Sequence, residues 1–214
     1  MARTAPIELP APEAYALWAA SYAPEPHTPL MEIEQGAVLA LLPELAGRRA
    51  ADLACGSGRY LRLLAERKAR CLGCDLSGAM LARARTIAPV ARADLRSLPF
   101  AAGAFEVAVC GLALGDVGEL TAALGEAARI LVRGGVFLAS DLHPEGARAG
   151  WKRTFRAADG RLVAVSHHVH AIGDYRAACA SASLRLEQVA EPVIPFEHPW
   201  RGRPAALIIR ARKV

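Results

Sequence analysis

A short segment with two closely spaced glycines constrains the fold of this chain more than any other part. Residues 51–60, ADLACGSGRY, follow an apolar segment and lead into residues 60–66, where apolar side chains recur at helical spacing. This order of strand, tight turn and helix is typical of a nucleotide-binding turn, because glycine lets the backbone reverse sharply and lets a ligand lie against it. The helix would also direct its free N–H groups and positive dipole end toward that ligand.

Two classes of nucleotide site differ in the residues around such a turn. A site for NAD requires a third glycine, and that position holds Leu61, which disfavours an NAD-dependent oxidoreductase. The alternative pattern is an acidic residue, a small residue and two glycines, and it is met by Asp52, Ala54, Gly56 and Gly58. These residues resemble the first motif of the class I methyltransferases that use S-adenosylmethionine (SAM), with Ala54 in place of the motif's first glycine. The resemblance implies that these four residues bind SAM.

Acidic residues also follow the next two predicted strands. Asp75 ends the strand predicted over residues 70–75, where its carboxylate can accept both ribose hydroxyls of a nucleotide; capping of the next helix together with Ser77 is the alternative. Asp94 follows the strand predicted over residues 90–93. By the same resemblance Asp94 receives the adenine amino group, and the backbone of Leu95 meets the adenine ring. We assign Leu76, next to Asp75, to the same predicted cofactor site.

Two later stretches extend the resemblance. Residues 105–117, FEVAVCGLALGDV, are similar to a methyltransferase segment that ends in a histidine pair, but Gly115 and Asp116 stand in its place. The resemblance implies that the backbone around Cys110 and Gly111 faces the methionine end of SAM. Residues 129–135, RILVRGG, are similar to a further family motif. Together these motifs cover about residues 46–142 and are most similar to type 11 methyltransferases of the ubiquinone/menaquinone-biosynthesis kind. They imply a SAM-dependent methyltransferase.

We expect one α/β domain over residues 1–214, with a Rossmann-like, doubly wound sheet of seven strands that is mostly parallel and has an antiparallel last strand. Residues 1–46 are predicted to form a helical cap, with helices over 12–22 and 29–42. Tyr22, at the end of the first helix, is expected to contact the cofactor. Residues 47–142 would form the SAM-binding core. Residues 143–214 would supply an acceptor-site insert and a hairpin, over 184–194 and 205–212, that completes the sheet.

Three histidines in the last third of the chain are candidates for acid–base chemistry. Methyl transfer from a sulfonium requires alignment of the acceptor, exclusion of water and, for a weakly acidic acceptor, removal of a proton. We predict that His143, His167 or His168 serves as that base; the alternative is that they are ordinary buried or exposed histidines. Residues 162–170 alternate like a strand, which would point His167 and His168 to opposite faces. We therefore predict no metal site.

Composition limits the remaining classes of function. The net charge is +5, but the basic residues are scattered, which favours a solvated surface over a nucleic-acid face. There is no apolar run long enough for a membrane span and no secretion signal at the start, and the five cysteines fit reduced thiols. We expect a cytoplasmic enzyme with a small-molecule acceptor, of undetermined oligomeric state. An RNA or protein methyltransferase and a catalytically silent SAM-binding protein are the alternatives.

Overall fold

A seven-stranded sheet forms the centre of the protein. The computed structural model describes residues 5–214, so residues 1–4 of the predicted cap lie outside the described part. The seven strands are β2 (Arg49–Leu53), β3 (Arg70–Asp75), β4 (Val90–Arg92), β5 (Phe105–Gly111), β6 (Leu131–Leu142), β9 (Leu184–Ala190) and β10 (Ala206–Lys213). A smaller sheet contains β1 (Ile7–Leu9), β7 (Thr154–Arg156) and β8 (Leu162–Val165).

The large sheet has the strand order β4-β3-β2-β5-β6-β10-β9. Strands β4, β3, β2, β5 and β6 pair in parallel, whereas β10 runs antiparallel to both β6 and β9. The predicted α/β fold, with its mostly parallel sheet and antiparallel last strand, is confirmed. Because parallel strands end at the same edge, the segments after β2, β3, β4 and β5 meet there, and this edge is where ligands bind in such folds.

Seven α-helices surround the sheets. They are α1 (Ala11–Trp18), α2 (Pro29–Leu41), α3 (Arg59–Glu66), α4 (Gly78–Ala84), α5 (Leu120–Ile130), α6 (Pro144–Arg148) and α7 (Ile172–Ser181). Local chemistry sets where two of them begin. The Thr28 hydroxyl accepts a hydrogen bond from the Met31 N–H at 3.2 Å, and the Ser77 hydroxyl accepts one from Met80 at 3.4 Å. Such caps satisfy backbone donors that have no partner within the helix.

The core has two layers because side chains alternate along the central strands. In β5, Val107 and Val109 point to one face of the sheet, where they pack with Val38 of α2 and with α3. Ala108 and Cys110 point to the other face, where they pack with α5 and α7. This alternation places the apolar side chains of both helix layers against the sheet.

The predicted helical cap requires correction. Helix α2 only partly fits a cap, because Val38 in its second half is fully buried against the large sheet. Only the first part of the segment lies over the sheet edge, and it includes the strand β1, which pairs with β8 and is too short to show a sequence period. Helix α1 packs on this small sheet, and the Trp18 ring stacks on Phe155 with 4.5 Å between ring centroids.

The strand predicted over residues 162–170 is also shorter than expected. It ends at Val165, the last residue paired with β1, and the backbone then leaves the small sheet. The Ser166 N–H donates to the carbonyl of Leu9, and the His168 N–H donates to the carbonyl of Gly115. The two strands predicted for the terminal hairpin are present as β9 and β10. Among the helices of residues 5–214, none has both the length and the apolar character needed to cross a membrane.

Candidate functional site

Two adjoining cavities lie at the edge where the parallel strands end. The larger has a volume of about 530 Å³ and the smaller about 310 Å³. Five residues line both cavities, and we call them the junction: Tyr15, Ala54, Asp75, Ala113 and Asp116. An elongated ligand could therefore occupy the smaller cavity at one end and the larger cavity at the other.

The glycine turn between β2 and α3 forms one wall of the larger cavity. Gly56 has φ +55° and lines this cavity, with open space where a Cβ would stand. Gly58, at φ +97°, lines neither cavity; a Cβ there would lie 2.6 Å from the Ile87 side chain, so this glycine permits close packing against α4. Ala54 has φ +54°, a conformation that costs an alanine about 1 kcal/mol and a glycine almost nothing.

Asp52 is a buried carboxylate without a partner. It lines the larger cavity, and neither carboxylate oxygen accepts a well-formed hydrogen bond from a described residue, although the Leu61 N–H lies nearby. Burial raises the pKa of Asp52 to about 8, although the positive charge of Arg59 opposes this shift. The hydroxyl of Ser57, also on the cavity wall, has no partner either. These orphaned groups fit a ligand that carries an ammonium group, such as the amino-acid end of SAM.

Asp75 fixes the glycine turn and borders both cavities. One carboxylate oxygen accepts a hydrogen bond from the Gly56 N–H at 2.8 Å, and the other accepts one from the Ser77 N–H at 2.7 Å. Burial raises the pKa of Asp75, and these two N–H donors act in the opposite direction. A carboxylate oxygen can accept more than one hydrogen bond, so Asp75 retains capacity for ligand hydroxyls.

The smaller cavity contains the other residues predicted for the adenosine end. Leu76, Asp94 and Leu95 line it. The Asp94 carboxylate is held by the Arg96 guanidinium, with contacts of 2.7 and 3.0 Å, and this pairing lowers the pKa of Asp94. An adenine amino group would therefore share Asp94 with Arg96.

The last two predicted cofactor residues differ in position. Tyr22 lines the larger cavity, as expected for a residue at the end of the N-terminal segment. Cys110 lines neither cavity, because its position on β5 directs the side chain into the core against α5 and α7. The next three residues, Gly111, Leu112 and Ala113, form the cavity wall in its place.

None of the three histidines predicted as a base lines the larger cavity. His143 is buried at the start of α6, where its ring accepts a hydrogen bond from the Glu145 N–H and its Nε2 lies 2.8 Å from Glu191. His168 lines the smaller cavity. His167 and His168 were expected to point to opposite faces of a strand, but neither residue belongs to a strand, because β8 ends at Val165.

His167 is held in a buried position outside both cavities. Its ring packs over Gly115, where a Cβ would lie 1.9 Å from the imidazole. The Arg153 guanidinium donates toward Nδ1 at 3.3 Å, so the ring must be neutral with its proton on Nε2. Burial, followed by the charge of Arg153, lowers the pKa of His167 to about 4. The glycine that replaces the first histidine of the family pair thus makes room for a histidine from another segment.

Sequence reasoning missed a charged cluster at the junction. Arg153 forms a two-pronged ion pair with Asp116 and donates a hydrogen bond to the Tyr15 hydroxyl at 2.6 Å. It also donates to the carbonyl of Leu112, which lies in the left-handed region at φ +56°. Asp116 in place of a histidine was the available signal, because a carboxylate at this buried position requires a cationic partner.

A second cluster joins α2 to the glycine turn. Glu34 is fully buried and accepts hydrogen bonds from Arg59 at 2.9 Å, from the Tyr60 hydroxyl at 2.6 Å and from Ser140. Arg59 also lines the larger cavity. This cluster positions a guanidinium next to the turn, where a ligand carboxylate would be attracted to it.

Three comparisons with known proteins agree with this geometry. Residues 51–139 match the family model described as a methyltransferase domain. The chain is 30% identical over 198 residues to the malonyl-[acyl-carrier protein] O-methyltransferase of Salmonella typhimurium, covering 84% of this chain and 78% of that protein. It is 36% identical over 91 residues to the demethylmenaquinone methyltransferase of Corynebacterium kroppenstedtii, covering 42% of this chain and 39% of that protein.

A solved structure extends the likeness to the whole fold. The crystal structure of an S-adenosylmethionine-dependent methyltransferase from Mesorhizobium loti has a TM-score of 0.71 and 29% sequence identity, and the match covers 85% of this chain and 98% of that one. The glycine turn, the acidic residues after β2 and β3 and the sheet order are all included in the matched family region or fold. The chain therefore belongs to the family of S-adenosylmethionine-dependent methyltransferases.

Proposed function

We propose that this methyltransferase transfers the methyl group of SAM to a small-molecule acceptor in the larger cavity. The observation that carries the proposal is that the two cavities adjoin at the junction, where Asp75 and Ala54 border both. The smaller cavity would take the adenosine end, and the glycine-turn wall of the larger cavity would take the amino-acid end. The rest of the larger cavity is then available to an acceptor.

We assign the cofactor contacts to residues that line these cavities. Asp52 and Arg59 would bind the ammonium and carboxylate of the amino-acid end, and Asp75 would bind the ribose. Leu76, Asp94 and Leu95 would surround the adenine, and Tyr22 would cover the amino-acid end. When bound, SAM supplies a methyl group already activated by a positively charged sulfur.

A small-molecule acceptor is supported by the shape and lining of the larger cavity. Beyond the glycine turn, its wall consists mostly of apolar and aromatic side chains, including Trp18, Trp151, Ile194 and Phe196. Small-molecule sites are concave and apolar in this way, whereas a nucleic-acid site requires an open basic surface. No group of three or more His, Cys, Asp or Glu side chains within residues 5–214 is arranged to hold a metal ion, and the proposal includes none.

An acceptor carried on a protein is the second candidate. It is favoured by the identity to the Salmonella protein, whose name gives malonyl-[acyl-carrier protein] as its substrate. The cytoplasmic location predicted from the sequence belongs to this proposal as well, since both acceptor types would be met there.

The cofactor assignment is tested by calorimetric titration with S-adenosylhomocysteine (SAH). Asp75→Asn should raise the Kd by about tenfold or more, because hydrogen bonds to a charged group contribute about 1.5–3 kcal/mol. Asp159→Asn, an exposed site outside both cavities, is the matched control and should leave the Kd unchanged. Equal affinity in the wild-type protein and Asp75→Asn would contradict the assignment, as would tight binding of NAD.

The acceptor class is tested with SAM that carries a tritiated methyl group. A cell extract is separated into a small-molecule fraction, an RNA fraction and a protein fraction, and each is incubated with the enzyme. Label in the small-molecule fraction supports the proposal, label in carrier protein supports the second candidate, and label in RNA alone contradicts both.

A further inference from the structure

The charged groups of the larger cavity are divided between its two ends. The carboxylates on its wall are Asp52, Asp75 and Asp116, and all three lie at the glycine turn or the junction. The remaining wall contains no carboxylate among the described residues, but it contains His198 and Lys152, whose ammonium is ion-paired with Glu8. An acceptor in this part of the cavity meets no carboxylate that would form an ion pair with a protonated amine.

The junction presents a hydrogen-bond donor. Arg153 donates to the Tyr15 oxygen at 2.6 Å, so the Tyr15 proton is directed elsewhere, and no described residue accepts it. Burial raises the pKa of Tyr15 well above its usual value, which keeps this proton on the hydroxyl at neutral pH. A hydroxyl that already accepts a hydrogen bond from a cation is a stronger donor than an isolated one.

With the cofactor bound, the junction does not present a free base. Asp75 accepts hydrogen bonds from the Gly56 and Ser77 N–H groups, and its remaining capacity is assigned above to the ribose. Asp116 is engaged by Arg153 through both carboxylate oxygens. His167, which approaches the same guanidinium, lies outside both cavities and has its pKa lowered to about 4, so its ring is neutral and its Nδ1 lone pair is occupied. A site with a strong donor and no free base suits an acceptor that arrives already ionised.

We propose that the acceptor is a small apolar or aromatic carboxylic acid, and that the Tyr15 hydroxyl donates a hydrogen bond to its carboxylate at the junction. This inference rests on the proposed function, whose acceptor class it specifies. Arg153 acts as a positioning residue, since it fixes the direction of the Tyr15 hydroxyl and is itself neutralised by Asp116. The aromatic wall formed by Trp18, Trp151 and Phe196 would hold the apolar body of the acid.

The chemistry balances without a base. As the O–CH3 bond forms on the carboxylate, the S–CH3 bond breaks and its electron pair stays on sulfur. A carboxylate and a sulfonium become a neutral methyl ester and a neutral thioether, so no proton has to be removed. The protein's part is to orient one carboxylate oxygen and to exclude water, both of which the junction can provide.

The experiment compares acceptor head groups on a constant ring. Indole acetate, indole acetamide and tryptamine form one series, and phenylacetate, phenylacetamide and phenethylamine form another. Binding of each probe is measured by calorimetry at neutral pH, with and without saturating SAH. We expect the carboxylate to bind more tightly than the amide, and the amide more tightly than the amine, in at least one series. A tighter amine, or no binding by either carboxylate, would overturn the inference.

Tyr15→Phe then tests the donor itself. It keeps the ring, so the protein should fold, and it should weaken carboxylate binding by about tenfold or more. Amide binding should weaken less, because a neutral carbonyl oxygen accepts a weaker hydrogen bond than a carboxylate. The Kd for SAH, measured in parallel, reports any separate change at the cofactor site. Tyr175→Phe is the matched control, because Tyr175 is a buried tyrosine outside both cavities whose hydroxyl donates to Asp141. Equal carboxylate affinity in Tyr15→Phe and wild type would overturn the role of Tyr15. Failure of the wild-type protein to bind SAH would instead overturn the cofactor site, and the probe ranking without SAH is independent of it.

Discussion

The burial of the Asp52 carboxylate has an energetic cost that a bound ligand would reduce. A buried carboxylate without hydrogen-bond donors favours its protonated form, and this is why its pKa lies near 8 in the ligand-free protein. Since the folded state keeps this proton where the unfolded chain has lost it, Asp52 lowers stability progressively as the pH rises from its ordinary value of 3.8 toward about 8. An ammonium group placed beside it would reverse the preference and favour the carboxylate.

Binding of SAH should therefore release a proton from Asp52. Because the free protein is protonated there below about pH 8, affinity should rise with pH through the neutral range, by at most about tenfold per pH unit. Calorimetry at pH 7 in buffers of different ionisation enthalpy measures the released proton directly. Asp52→Asn should bind more weakly and release none, whereas Asp159→Asn should behave as the wild type. If SAH binding to the wild-type protein releases no proton, this role for Asp52 is contradicted.

Residues that belong to a local motif could be placed from the sequence, but residues brought together by the later chain could not. Asp52 and Asp75 lie at the carboxyl ends of β2 and β3, and Asp94 follows β4, so their approach to one edge is a consequence of topology. The contact between Tyr15 and Arg153 joins positions 138 residues apart. It depends on how the small sheet folds against α1, and no spacing in the sequence encodes that.

At the scale of elements, Arg83 links α4 to the N-terminal segment that covers the cavities. Its guanidinium donates to the carbonyl of Ala19 at 3.2 Å and to the carbonyl of Tyr22. These carbonyls follow α1, so they are free of partners within that helix. The contact holds the end of α1, and with it Tyr22, over the larger cavity.

Arg83→Met should loosen this covering element without unfolding the protein. We expect the Kd for SAH to rise by roughly threefold to tenfold, since one or two hydrogen bonds of about 1 kcal/mol each are lost from the closed arrangement. Arg85→Met, on an exposed arginine at the end of the same helix, controls for the loss of charge. Calorimetry with SAH gives the comparison, and equal Kd values for the two variants would exclude the proposed contact as a closing device.

Helices and strands that contain enough apolar residues to show a repeating pattern could be predicted. Short strands, which exist only because their backbones pair with another segment, could not. Strands β3 and β10 carry enough apolar residues to be recognised, and they lie close to the predicted bounds of 70–75 and 205–212. Strand β1 has three residues, and β8 ends at Val165, the last residue paired with β1, before the backbone bonds to Gly115 through His168. Helix α2 was predicted as a helix, but its packing against the large sheet depends on the tertiary structure and could not be predicted from the local sequence.

At the scale of the whole molecule, the cavities lie between the large sheet and an N-terminal segment that is not part of that sheet. The large sheet is buried on both faces, whereas residues 7–28 are attached through the small sheet, the packing of α1 and side-chain contacts. These contacts include those of Arg153 with Tyr15, Arg62 with Glu25, and Arg83 with the end of α1. Side chains of this segment, including Tyr15, Trp18 and Tyr22, form the outer wall. A ligand that contacts both the large sheet and the N-terminal segment loses its contacts with the segment whenever this wall opens.

Hydrogen exchange should therefore detect SAH first in the N-terminal segment. If α1 opens only in the ligand-free protein, SAH at 100 times its Kd should slow the exchange of α1 amides by about a hundredfold. The edge strand β9 is the internal control, because its local opening uncovers neither cavity and should proceed at the same rate with SAH. Asp75→Asn at the same SAH concentration should leave α1 fast, since it binds less ligand. Two results would contradict this prediction: slower exchange confined to the sheet, or α1 amides that are already as protected as those of β5 without SAH. Either result would show that the wall is a fixed part of the fold. Ligands would then pass through the open end of the larger cavity.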